Sequence, residues 1–527
     1  MQKGTSALGM LVSLAAIALS ERSILAAQPD ELRSSPQVST KPDAEPNAQF
    51  ALSLISSGVE AARDCDPASQ AIVLLMAGGA VRTLDPAKAL TYYAGSFEAV
   101  QSLAGSHLRL TLQRMLVAQI TDVDVDQAVQ LVTRMDTPEI TAKPDVDSRV
   151  GAAHKVIKKL LARGARDDPD KAVDLLEFLG DTGQYPYAAA GEAITFFHRK
   201  GEDDRALDVF MRAMGYARQD YQFRTTANEF LDLIKTSEGK IAKSVLVSAF
   251  RLLTARVKEA VTSQSSTNVG PTQGLVRGSE QILGRLLTLA QQLDPPSRDE
   301  LKELYLRLHN SDKKQTSPED TRNDSRMVTD SGIQPRELVE EDEEVKAAEQ
   351  ALEEVRSLAA KDPAAALARA EAIALPAYRS RALATVAKKC RNAAQATLAL
   401  RDAERAATQI EVPQGASPEE LAKETARRVE ALVEIAEGWA QWRDTEQASA
   451  SLGSGFALTL ELIQKQEALR PEAPSGFGAS VNLLRRLAQA EVRLGPTQAS
   501  ERAQTISDPR LRAYFLVSMA TAILGNI

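Results

Sequence analysis

The sequence predicts an all-α protein built from antiparallel helix pairs stacked in two arrays. Three observations predict it. Apolar residues recur at helical period along most of the chain, no segment alternates at period two between hairpin turn residues, and one helix type returns at about the length of a helix pair. Composition agrees, since roughly one residue in six is alanine and aromatics are 4%, and alanine and leucine lose least on entering a helix. With 527 residues, 44% apolar content and two cysteines, the chain is neither a disulfide scaffold, a collagen, a multi-span membrane protein nor wholly disordered.

The N-terminus reads as an address. Lys3 precedes an apolar run from Ala7 to Leu19, and small residues offer cleavage after Ser20 or after Ala27, so residues 1–27 are expected to be a secretory signal peptide. That run is shorter than the roughly 20 residues a membrane-spanning helix needs; an uncleaved anchor is the alternative. The expected product is exported, periplasmic or secreted. Loss of Lys3, Glu21 and Arg22 with the signal changes the net charge from −8 to −9. Residues 28–47, with Pro29, Pro36, Pro42 and Pro46, are expected to be a disordered spacer.

Helical repeats follow, in an N-terminal array over 48–309 and a C-terminal array over 338–527, joined by a polar linker at 310–337. A shorter polar stretch, Thr262 to Gly278, is expected to be a long loop. One helix type opens on Asp or Pro with an alanine soon after. It starts at Asp85-Pro86, Asp126, Asp168-Pro169, Asp204 and Asp362-Pro363, and each step between Ala89, Ala128, Ala172 and Ala206 is the length of one helix pair. Ala206, Leu207, Phe210, Ala213 and Met214 share one face of the fourth copy. Glu340 to Glu344 fit a solvated first turn favoured by the helix dipole, and Ser417-Pro418-Glu419-Glu420 fits a capping box with proline in the first turn. A second helix type alternates with the first, as in Tyr378 to Ala387 and Leu511 to Ala520.

The two C-terminal copies overlay without gaps when Pro363 is set on Pro496. Nine of 25 positions between Pro363 and Ala387 match those between Pro496 and Ala520. The matched prolines start helices, Ala366/Ala499 and Ala370/Ala503 permit close approach, and Ile373/Ile506 and Leu383/Leu516 fill a shared core. Arg369/Arg502 and Arg379/Arg512 match as well.

The series Phe197, Gly201, Ala206, Phe210 and Ala213 resembles a tetratricopeptide repeat (TPR), which keeps an aromatic on its first helix, a small residue at the turn and an Ala-aromatic-Ala series on its second. The Trp and Leu-Gly signature of that family's first helix is absent, and the repeats here are less evenly spaced than that family's. The resemblance therefore implies a TPR-like α-solenoid of no particular subfamily, with a concave face that binds a peptide or partner protein. It transfers no individual binding residue.

Chemistry has little local support in the sequence. His107, His154, His198 and His309 lie singly, none in metal-ligand spacing. Cys65 and Cys390 lie far apart, on opposite sides of the expected linker; two buried free thiols are the favoured reading and a disulfide between them the alternative. Ser475 to Ser480 and Glu238-Gly239-Lys240 lack the glycine and lysine spacing of a phosphate-binding loop. Trp439 and Trp442 share a helix face and are expected to pack between repeats, with a sugar platform as the alternative.

The sequence thus nominates no catalytic, cofactor or metal residue. It predicts an exported, non-catalytic scaffold with a protein or peptide partner; a superhelical or α/α-toroid glycan-active envelope enzyme and a structural envelope spacer are the alternatives. The acidic balance and the lack of a basic run argue against a nucleic-acid partner.

Overall fold

The protein is described by a computed structural model over residues 44–103, 106–136, 147–219, 223–265, 273–315, 335–410, 417–469 and 479–525. The expected signal peptide lies outside the described residues, as do most of the expected spacer and 316–334 of the expected linker. Among the described residues there are 22 α-helices and no strand. The chain divides into two compact units that cut across the linear order: one comprises 1–103 and 333–527, the other 104–332.

The second unit is a run of ten helices: α4 (Ser106–Ile120), α5 (Val125–Arg134), α6 (Asp147–Arg163), α7 (Asp168–Asp181), α8 (Tyr187–Arg199), α9 (Asp203–Gln219), α10 (Phe223–Thr236), α11 (Lys243–Ser265), α12 (Gln273–Leu293) and α13 (Ser297–Gln315). The even-numbered helices α4, α6, α8, α10 and α12 pack each on the next, and each also packs on at least one neighbour in sequence, which is the stacking of helix pairs in a solenoid. The core explains the series that resembles a TPR: Phe197, Ala206, Phe210 and Ala213 are fully buried. Gly201, at φ +75°, makes the tight left-handed turn between α8 and α9.

The other unit begins with α1 (Ala44–Ala62), α2 (Pro67–Val81) and α3 (Pro86–Gln101). After the second unit it resumes with α14 (Pro335–Leu358), α15 (Pro363–Glu371), α16 (Pro376–Lys389), α17 (Ala393–Thr408) and α18 (Pro418–Gln441). It ends with α19 (Thr445–Leu469), α20 (Ala479–Leu494), α21 (Pro496–Thr505) and α22 (Pro509–Gly525). Here α14, α16, α18, α20 and α22 form the stacked row, and α2 continues it beyond α22.

The starts follow local chemistry. Asp85, Asp124 and Asp362 cap α3, α5 and α15 through their carboxylates. Ser417 and Glu420 form the expected capping box, with Ser417 N–H donating to Glu420 at 2.7 Å and Glu420 N–H to Ser417 Oγ at 3.2 Å. The repeated alanines 89, 128, 172, 206, 366 and 499 are all fully buried.

Three sequence expectations change. The spacer is shorter than 28–47, because α1 starts at Ala44, and Pro46 is tolerated in a first turn whose N–H groups have no intrahelical acceptor. The loop expected over 262–278 is largely taken up by α11 and α12, since Ser and Gly cost a helix at most about 1 kcal/mol each. Helix likewise extends to Gln315 and resumes at Pro335 within the expected 310–337 linker.

The two-array division also differs. Instead of joining 48–309 into one array, α1–α3 close the C-terminal one, and α1 lies along α22. The cause is α22 itself, buried without a break from Ala513 to Ala520 and so in need of cover on every side. Gly58 of α1 provides it at close range: a Cβ there would lie 2.8 Å from Val517 Cγ2 and 3.2 Å from the Ala513 carbonyl oxygen.

Candidate functional site

Side-by-side stacking of α14, α16, α18 and α20 leaves a groove with a cavity of about 510 Å³. Its central row comes from α18, where Glu430, Glu434 and Glu437 recur at i, i+4 and i+7 and so share one face. On α16, Arg381 and Lys388 repeat the i, i+7 spacing, and on α20 so do Arg486 and Arg493.

The equal spacings lock into two rungs. Glu430 accepts from Arg381 at 3.4 Å and from Arg486 at 2.6 Å. Glu437 accepts from Lys388 at 3.1 Å and from Arg493 at 2.5 Å. Glu434 receives Arg381 Nε at 2.8 Å. Burial works against the Arg381 charge, but Glu434 and Glu430 more than offset it and raise its pKa above the ordinary guanidinium value. The lining adds Lys389 and Arg356, so that cations outnumber the three carboxylates. Arg356 pairs with Glu353, whereas Lys389 is exposed and makes no ion pair among the described residues. Among the described residues no aromatic side chain lines the groove.

A second cavity, of about 660 Å³, lies in the 104–332 unit between the end of α8, the turn at 238–243 and the end of α12. It brings together two sequence candidates, His198 and Glu238-Gly239-Lys240. His198 Nδ1 lies 2.7 Å from Asp203 Oδ1. Lys240 donates to Thr195 Oγ1 at 3.0 Å and to the Thr236 carbonyl, so its ammonium closes the end of α10.

The other candidates stay apart. His154 is half-buried on α6, and burial lowers its pKa. The side chains of His107 and His309 lie outside the described residues, as do residues 475–478; Ala479 and Ser480 begin α20. Among the described residues no group of His, Cys, Asp and Glu could hold a metal ion. Cys65 and Cys390 are free thiols, half-buried rather than buried, each pushed up by burial. Trp439 donates to Glu404 on α17 at 2.8 Å, and Trp442 to the Ala387 carbonyl of α16 at 3.0 Å, so both indoles tie α18 to its neighbours. Glu343 and Glu344 of the acidic run are exposed on α14. No helix of the described residues is long and apolar enough to cross a membrane.

The charged rungs were not nominated from the sequence. Their signal is there, as Arg381-x6-Lys388, Glu430-x6-Glu437 and Arg486-x6-Arg493 at constant offsets of 49 and 56 residues.

No known protein family matches the chain, and no curated protein does. Among solved structures it is similar to one described as a circular tandem repeat protein with novel repeat topology and enhanced subunit contact surfaces. That similarity amounts to 11% identity and a TM-score of 0.21 over 91% of this chain and 97% of the other. A likeness at that level carries no argument, and the fold stands on the helices and their packing.

Proposed function

We propose that this chain is an exported, non-catalytic, TPR-like scaffold that holds a segment of a partner protein in the groove of α14, α16, α18 and α20. One observation carries the reading: four successive stacked helices contribute side chains of mixed charge to one continuous groove. Repeat proteins bind along surfaces of that kind. The buried series Phe197, Ala206, Phe210 and Ala213, with the turn at Gly201, supports the TPR-like description. The groove's carboxylates are committed to ion pairs, which does not favour the paired acid and base of a glycan-cleaving site. Export rests on the N-terminal signal, and a processed chain beginning at Glu21 or Gln28 is the expected species.

Site-specific photocrosslinking in living cells tests this. A crosslinker at Lys389 or Gln489, in the groove, should trap one discrete protein adduct, whereas one at Leu398, exposed at 62% on α17, should not. Equal labelling at both places, or glycan cleavage by the purified chain, would sink the scaffold reading. Intact mass of the exported protein reads the processing site.

A further inference from the structure

Resting on the scaffold reading, we infer that the groove takes an acidic, extended segment of a partner polypeptide, with a carboxylate at about every third position. The argument begins with which charges a ligand meets first. Arg486 and Arg493 are 52% and 62% exposed, whereas their partners Glu430 and Glu437 are only 26% and 30% exposed. On the α20 side the cations therefore form the rim, while Arg381 and Lys388, 24% and 22% exposed, lie with the carboxylates in the floor. Lys389 adds an exposed ammonium with no ion-pair partner among the described residues, and Arg356 adds another cation at the α14 side. A ligand carboxylate can join a rim guanidinium without breaking its existing pair, since the guanidinium has five donors in a fixed fork.

Spacing supplies the second part. Positions i and i+7 on a helix stand about 10.5 Å apart along its axis, and a chain extended in the polyproline II form, with three residues per turn, keeps i and i+3 on one face while advancing about 9 Å. Acidic side chains at every third position therefore match both rungs when the peptide lies along the helices. A nucleic acid fits less well: the groove offers no aromatic for base stacking, and the three floor carboxylates repel a continuous phosphate backbone.

The test is fluorescence anisotropy on the full chain with labelled peptides of Glu-Ser-Gly repeats, against Gln-Ser-Gly and Lys-Ser-Gly repeats and a labelled oligothymidylate. The Glu peptide should bind best and weaken as salt rises. Arg486→Gln/Arg493→Gln should weaken it about tenfold or more. Because that pair also strips partners from Glu430 and Glu437, Lys389→Gln, which breaks no ion pair, serves as the second variant and should weaken binding about threefold. Preference for the Gln peptide, the Lys peptide or the oligonucleotide would overturn the acidic-segment inference. The two peptide outcomes, if sensitive to these substitutions, would leave the scaffold standing. Absence of binding by every probe would overturn the inference, and absence of groove crosslinks as well would remove the scaffold with it.

Discussion

Single atoms set the tolerance of this all-helical core. A Cβ on Gly180 of α7 would fall 2.4 to 2.6 Å from ring carbons of Tyr216, which stacks on Tyr185, whereas a Cβ on Gly215 of α9 meets nothing within 4 Å. Gly180→Ala should cost about 1–3 kcal/mol by overpacking. Gly215→Ala should add about 0.4–1 kcal/mol by restricting the unfolded chain. Urea denaturation of the two variants checks both signs, and equal effects would refute the packing argument. Asp294 gives a pH prediction. Arg251 donates to it through two nitrogens at 2.9 and 3.1 Å and Ser297 Oγ at 2.7 Å, holding its pKa at about 2 against an ordinary 3.8. A carboxylate depressed in the folded state contributes stability that is full above the unfolded value and is lost as pH falls through the folded one. Asp294→Asn should therefore flatten the stability loss between about pH 4 and pH 2, read from urea midpoints across that range; an unchanged slope would refute it. The small buried alanines were legible from spacing alone, because a helix–helix contact of this closeness demands them wherever it recurs. The tyrosine over Gly180 was not, since it comes from a helix two elements later.

Elements end as well as begin by local rules, and one end breaks the usual choice of residue. After α7 and α8 the chain turns through Gly183 and Gly201 with paired return hydrogen bonds, Gln184 N–H to Leu179 O and Glu202 N–H to Phe197 O. After α18 the same motif forms, Asp444 N–H to Trp439 O and Arg443 N–H to Ala440 O, but the left-handed position at φ 61° is held by Arg443. An L residue with a Cβ costs roughly 1–2 kcal/mol there, and Arg443 is exposed with no ion pair among the described residues to offset it. Arg443→Gly should raise stability by about 1 kcal/mol, read as a higher melting temperature; a lower one would show that the side chain has a partner role. Helix starts were readable from the sequence because a cap involves near neighbours in the chain, as Ser417 with Glu420. The groove's ion pairs between helices span 49 to 56 residues, so recognising them required knowing which helices lie side by side.

At the scale of the whole chain, sequence order and structural order part company. A repeat pattern specifies that neighbouring pairs stack, and α14, α16, α18, α20 and α22 do stack in a row; the pattern is silent on what covers the last member. That member is α22, whose Tyr514, Phe515, Val517 and Met519 are at most 3% exposed, and α1 and α2 are the helices packed on it from the distant start of the chain. Full burial of such side chains is worth about 1.5–3 kcal/mol each, so several together hold the two chain segments against separation even without a covalent link. A specific protease site placed at 316–334 therefore should not free two halves. The cut protein should elute from gel filtration as one species containing both pieces, and residues 335–527 made alone should aggregate or bind a hydrophobic dye, with solubility restored by co-expressed 44–103. Separate elution of the pieces under native conditions, with a folded and soluble 335–527, would mean that α22 does not depend on α1 and α2, and the C-terminal row would then be the self-sufficient array its repeats alone suggest.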